Sequence, residues 1–67
     1  MPSAVVVDDA VPVYSGSDDT YLTLFSVSSS TEVRVIDRDE NFVQILLEDG
    51  RRGWINDVVL IYPLRDL

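Results

Sequence analysis

The residues of this chain that could do chemistry are nearly all carboxylates. Twelve Asp and Glu stand against five Arg, with no Lys, His or Cys, for a net charge of −7. Seven of the acids fall in two adjacent pairs and one short run, Asp8-Asp9, Asp18-Asp19 and Asp37–Glu40. Paired carboxylates can act as general acid and base when their surroundings push their proton affinities apart. Neighbours on an extended backbone point their side chains to opposite sides, so Asp8-Asp9 and Asp18-Asp19 diverge. No nucleophile, imidazole or thiol accompanies them, which removes the usual zinc sites and covalent mechanisms. The expectation is a protein without catalytic residues, metal or cofactor.

Recognition is the chemistry that remains. The acidic balance repels phosphate backbones, anionic membrane surfaces and anionic polymers, so nucleic acid is an unsuitable partner. A cationic partner, or a neutral one held by shape, fits better. The simpler alternative is that the charge only keeps a small apolar-rich domain in solution. No segment approaches the ~18–20 apolar residues of a membrane span. Met1-Pro2-Ser3-Ala4 lacks the basic head and apolar run of a secretion signal. Neither feature settles a compartment.

The elements that must position such residues follow from the period-2 pattern. At 67 residues the chain makes one domain, expected over residues 4–62 with tails at 1–3 and 63–67. A domain of this size buries only roughly 60% of its unfolded surface. Its core supplies no more than about 3–5 kcal/mol. The central stretch is Asn41–Ile55. Val43, Ile45 and Leu47 alternate as one buried strand face, Asp49-Gly50 reads as a two-residue hairpin turn, and Gly53-Trp54-Ile55 returns. Before it come strands at Ala4–Val7, Val11–Tyr14, Thr20–Val27 and Thr31–Asp37. Pro12 places the second at an edge or bulge. The third alternates imperfectly, with Leu22 and Leu24 opposed to Phe25 and Val27, and predicts a bulge or cover on both faces. Ser15–Asp19 and Arg38–Asn41 are turns. After the hairpin, Asn56-Asp57 cap one helical turn over Val58-Val59, Leu60–Tyr62 form a last strand ended by Pro63, and Leu64–Leu67 fray.

The fold class is therefore all-β, a small barrel of five or six short antiparallel strands with one helical turn near the C-terminus. The expected core is Val5, Val7, Val11, Val13, Phe25, Val27, Val33, Val35, Val43, Ile45, Leu47, Ile55 and Leu60. Alternation puts Phe42, Leu46 and Trp54 on the outer side, joined by Ile36. A two-residue turn would set Leu46 opposite residue 53, within reach of Trp54. This outer patch is either a docking surface or is covered by a loop or the C-terminal tail.

The run TEVRVIDRDENFVQILLEDGRRGWI, residues 31–55, resembles the bacterial Src-homology-3 family. Asp49, Gly50, Gly53, Trp54 and Ile55 match its Asp-Gly-x-x-Gly-Trp-Val/Ile motif, and Val11, Val13, Ser15 and Gly16 match its upstream strand and turn. The chain departs from the family at Ser30, where Gly is usual, at Phe42, where Trp is usual, and at Ser17, where Pro is usual. The likeness covers residues 4–62. It implies a Src-homology-3-like barrel that binds without catalysis, engaging a peptide stem of the cell wall or a protein segment. It also implies a place in the cell envelope, as part of a larger protein.

The expected ligand-binding residues are Tyr14, Tyr21, Asp18, Asp19, Phe42, Leu46 and Trp54. Tyr14 and Tyr21 flank the Ser15–Asp19 loop, and in the family's architecture tyrosines so placed line a groove for extended peptides. Either they do so here or each covers the barrel end with its hydroxyl in water. If the Asp18-Asp19 and Asp37–Glu40 loops face each other, their carboxylates form a negative rim suited to Arg, Lys or a free amine. Arg51 and Arg52 read as solubilising. The competing expectation is a structural domain that packs on its parent protein or forms a homodimer, favoured by outward Leu24 and Leu46.

Overall fold

The computed structural model describes residues 3–62. Seven strands are present: β1 (Ser3–Val6), β2 (Val11–Tyr14), β3 (Thr23–Val27), β4 (Glu32–Asp39), β5 (Phe42–Leu46), β6 (Arg52–Asn56) and β7 (Leu60–Ile61), with one 3-10 turn at Asp57–Val59. Every ladder is antiparallel, and all belong to one sheet in the order β3-β2-β6-β5-β4-β1-β7. The all-β expectation holds. The described residues form seven strands rather than five or six, and the expected last one, Leu60–Ile61, pairs with Val5 and Val6.

All seven strands contribute to a single core: Ala4, Val6, Val11, Val13, Val27, Val33, Val35, Val43, Ile45, Leu47, Ile55 and Leu60. One face of so wide a sheet shares a single cluster only if the sheet curls over it. Nine of these twelve residues are Val or Ile, whose branched side chains fill a pleated inner surface well. Two expected core residues fail in β1 and just after it. Val5 is half-buried and Val7 is 43% exposed, while Ala4 and Val6 face inward. A run of four small apolar residues has no polar partner to set its phase. The register does so instead, by placing Ala4 opposite Val33. Phe25, also expected inside, is only partly buried against the core. Its ring lies 4.4 Å below the Arg51 guanidinium, which also holds Asp49 at 2.8 Å. Arg51 is therefore a packing residue as well as a charged one.

The two hairpin turns exchange the roles the sequence predicts. The tight two-residue turn is Glu40-Asn41, between paired Asp39 and Phe42, with Glu40 at φ 55°. The Asp49-Gly50 corner is wider. Leu47 N–H donates to Arg51 at 2.8 Å, and Gly50 N–H donates to Leu47 at 3.0 Å, so Glu48, Asp49 and Gly50 form the loop. Gly50 takes φ 94°, the left-handed residue that closes a three-residue hairpin. The extra residue shifts the ladder by one, and Leu46 faces Arg52 rather than residue 53.

The expected bulge is present. Val13 pairs with Phe25 and Tyr14 with Thr23, leaving Leu24 over. Strand β3 begins at Thr23 rather than Thr20, because Thr20–Leu22 are used in the turn. Pro12 lies in a strand that is internal by order, but β2 meets β6 at the single pair Tyr14–Trp54, so the missing donor breaks no long ladder. Asn56 caps the 3-10 turn as expected, its Oδ1 accepting from Val58 N–H at 3.1 Å. Pro63 and the tail Leu64–Leu67 lie outside the described residues.

Candidate functional site

Three neighbouring strands, β2, β6 and β5, carry the outward aromatic residues. Tyr14 pairs with Trp54, Trp54 with Gln44, and Phe42 with Asn56. Alternation sends Val13, Ile55, Val43 and Ile45 inward and Tyr14, Trp54 and Phe42 to the opposite face, as the sequence predicts. Gly53 makes the close approach of β2 possible. A Cβ there would stand 2.4 Å from Val13 Cγ1 and 3.0 Å from the Tyr14 carbonyl oxygen. Across β6, the Tyr14 and Phe42 rings meet edge to face, with centroids 6.2 Å apart at 61°. Each of these aromatics is half-buried.

Phe42 also forms one wall of a groove of about 410 Å³. The opposite wall comes from the tip of the β2–β3 loop, with Ser17, Asp18 and Tyr21; the β4–β5 turn adds Asp39, Glu40 and Asn41. Three local features shape that tip. Asp18 accepts from Thr20 N–H at 3.0 Å, Ser15 N–H donates to Leu22 at 2.8 Å, and the Tyr21 ring lies where a Cβ on Gly16 would be, at 2.6 Å. One bond spans the two loops: Ser17 Oγ donates to Asp39 Oδ2 at 2.6 Å. The turn is anchored from behind, since Asp57 N–H donates to Asn41 at 2.9 Å and Arg38 holds Asp57 at 2.8 Å.

The groove's charge is of one sign. Asp18, Asp39 and Glu40 line it, and no Arg does. The Thr20 backbone N–H, chief among several hydrogen bonds, holds the Asp18 carboxyl below its ordinary value, so it stays ionised into the acid range. Arg38, on β4 beside the turn, bonds Asp57, the Tyr62 hydroxyl at 3.4 Å and the backbone carbonyl of groove-lining Glu40 at 3.3 Å, and the Asp57 hydrogen bond raises its proton affinity further. Among the described residues no three carboxylates converge as metal ligands.

Of the seven expected residues, Asp18, Tyr21 and Phe42 line this groove, and Tyr14 supports Phe42 from beside it. Trp54 lies farther along the same face, against Tyr14 and Gln44. Asp19 is exposed at the loop tip, outside the groove. Leu46 borders a different cavity of about 550 Å³, beside Arg34 and Glu32 at the other end of β5. Ile36 is left over at a ladder irregularity between Val35 and Asp37, half-buried. Ser17 and Asn41 were not among the expected ligand-binding residues. Their turn-forming character is legible, but the meeting of the two loops across the groove, through Ser17 and Asp39, is a long-range event.

Comparison with protein-family models, with curated proteins and with solved structures yields no match to this chain.

Proposed function

We propose that this chain is a non-catalytic binding module whose groove between the β2–β3 tip and the β4–β5 turn receives an extended peptide bearing a cationic group. The peptide is a segment of a protein or the peptide stem of a cell wall. The observation that carries this reading is the 2.6 Å Ser17–Asp39 bond, which draws two acidic loops into one concave, singly charged surface. An Arg, Lys or free amine seated there meets carboxylates with no competing Arg in the lining. Tyr21 and Phe42 offer flat apolar walls to the backbone and stem of an extended ligand, which loses little entropy on docking.

The resemblance of residues 4–62 to the bacterial Src-homology-3 family supports the same reading. Ser30, where that family usually has Gly, stands at φ 71°, a conformation glycine adopts freely.

Titration of labelled protein with a short Arg- or Lys-bearing peptide tests the proposal. Amide shifts are expected at Ser17–Tyr21 and Asp39–Phe42, with affinity falling as salt rises. Unmoved resonances at saturating peptide, or binding indifferent to salt, overturn it.

A second reading, a self-associating domain, is favoured by one observation: Leu22, just before the end strand of the sheet, and Leu24 within it are 72% and 47% exposed.

A further inference from the structure

One wall of the groove, Asp39, Glu40 and Asn41, is the end of β4 and the turn after it. That wall is tied to the fold from its rear by a single side chain. The Arg38 Nη1 donates to the Glu40 carbonyl oxygen at 3.3 Å and to Asp57 Oδ2 at 2.8 Å, and its Nη2 donates to the Tyr62 hydroxyl at 3.4 Å. Asp57 completes the tie, because its backbone N–H donates to the Asn41 carbonyl oxygen at 2.9 Å. One planar group thus joins the β4–β5 turn, the 3-10 turn and the residue after β7. Arg38 itself does not line the groove. Among the described residues, no other side chain bonds the backbone of Asp39–Asn41.

We propose that Arg38 is a positioning residue of the groove, holding the Asp39–Asn41 wall at the spacing from the β2–β3 tip that a cationic ligand meets. The proposal rests on the reading of the groove as a site for such a ligand. Two effects of Arg38 on that ligand oppose each other. As a positive charge nearby it repels an Arg or Lys, an effect that salt screens. As a tie it takes freedom from the turn before the ligand arrives, so binding does not have to order it. The contacts favour the second effect. The charge of Arg38 is already met by Asp57 at 2.8 Å, whereas the turn has no substitute for its tie. Lysine cannot replace it. A guanidinium presents its donors in a fixed planar fork, here shared among acceptors from three segments, while an ammonium keeps the charge on a flexible stem without that fork.

Affinity for a short capped peptide with one central Arg, measured on the intact chain and on Arg38→Lys and Arg38→Gln, tests this. Both substitutions are expected to weaken binding about three- to tenfold, the effect of having to order a loosened turn. A role through charge alone predicts otherwise: Arg38→Lys would match the parent, and Arg38→Gln would bind more tightly. Either result overturns the proposal. Melting temperatures of both variants should stay close to the parent's, because the Arg38–Asp57 pair is half exposed on one side and one-third on the other, and such pairs add little stability. Weaker binding by a chain that is still folded is then an effect on the groove. Hydrogen exchange of the Asp57 amide in the free protein needs no ligand. It should quicken in both variants, since that amide bonds Asn41, and unchanged exchange also overturns the proposal. A parent chain that binds no peptide, yet whose Asp57 amide loses protection in both variants, would sink the binding reading and leave the tie standing, so the two failures are told apart.

Discussion

Single residues in this fold are decided by space and by φ, and two positions show the two effects separately. Gly53 has ordinary backbone but no room, with Val13 Cγ1 at 2.4 Å from an added Cβ. Gly53→Ala forces β2 and β6 apart and is expected to cost about 1–3 kcal/mol, a large share of the roughly 3–5 kcal/mol such a core supplies. Ser30 is the reverse case: it is exposed but held at φ 71°. Ser30→Gly is expected to add about 0.5–1 kcal/mol by removing that strain. Urea unfolding of both variants against the parent checks the signs. Gly53 follows directly from the alternation of the hairpin, whereas Ser30 sits in a plain serine run whose letters do not announce a left-handed turn.

At the scale of elements, the corner of the central hairpin is held by a polar clip. The Asp49 carboxylate accepts from Arg51 N–H at 3.0 Å and from Arg51 Nε at 2.8 Å, and Arg51 in turn covers Phe25 on β3. The backbone bond is the main cause that holds Asp49 below its ordinary value of 3.8. A carboxyl with lower proton affinity in the folded than in the unfolded chain adds stability above its unfolded pKa. That stability is lost as pH falls through the folded value. Asp49→Asn is therefore expected to be less stable than the parent near neutrality and to converge with it in acid, below the ordinary 3.8. Denaturation midpoints followed across pH measure this, and a gap that persists unchanged in acid contradicts it. Strand positions from Val11 to Ile55 were largely legible because each alternates over several residues. The turn types were not. Asp-Gly permits more than one loop length, and a single residue more or less moves the partner of Leu46.

The whole molecule carries its charge unevenly: three carboxylates line the groove with no Arg among them, and residues 20–31, which include β3, hold no charged side chain of their own. The two ion pairs among the described residues, Arg38–Asp57 and Arg51–Asp49, have side chains between one-third and three-fifths exposed, and such pairs add little. Mutual repulsion among the excess acids is the larger electrostatic effect on the compact state. Moderate salt is therefore expected to raise the melting temperature, and thermal unfolding over a salt series decides it. A falling midpoint would mean that the ion pairs outweigh the repulsion.

Composition by itself determined the absence of imidazole and thiol chemistry. Period-2 patterning determined the all-β class, the inward set from Val11 to Leu60 apart from Phe25, and the outward aromatics, because each of these is written in residues adjacent along the chain. Only the tertiary structure decided the phase of β1, the order of strands that leaves β3 at an end, and the meeting of Ser17 with Asp39. Those features depend on which distant segments lie side by side. Ladder register and the shared core set that together, and no local stretch of the chain contains it.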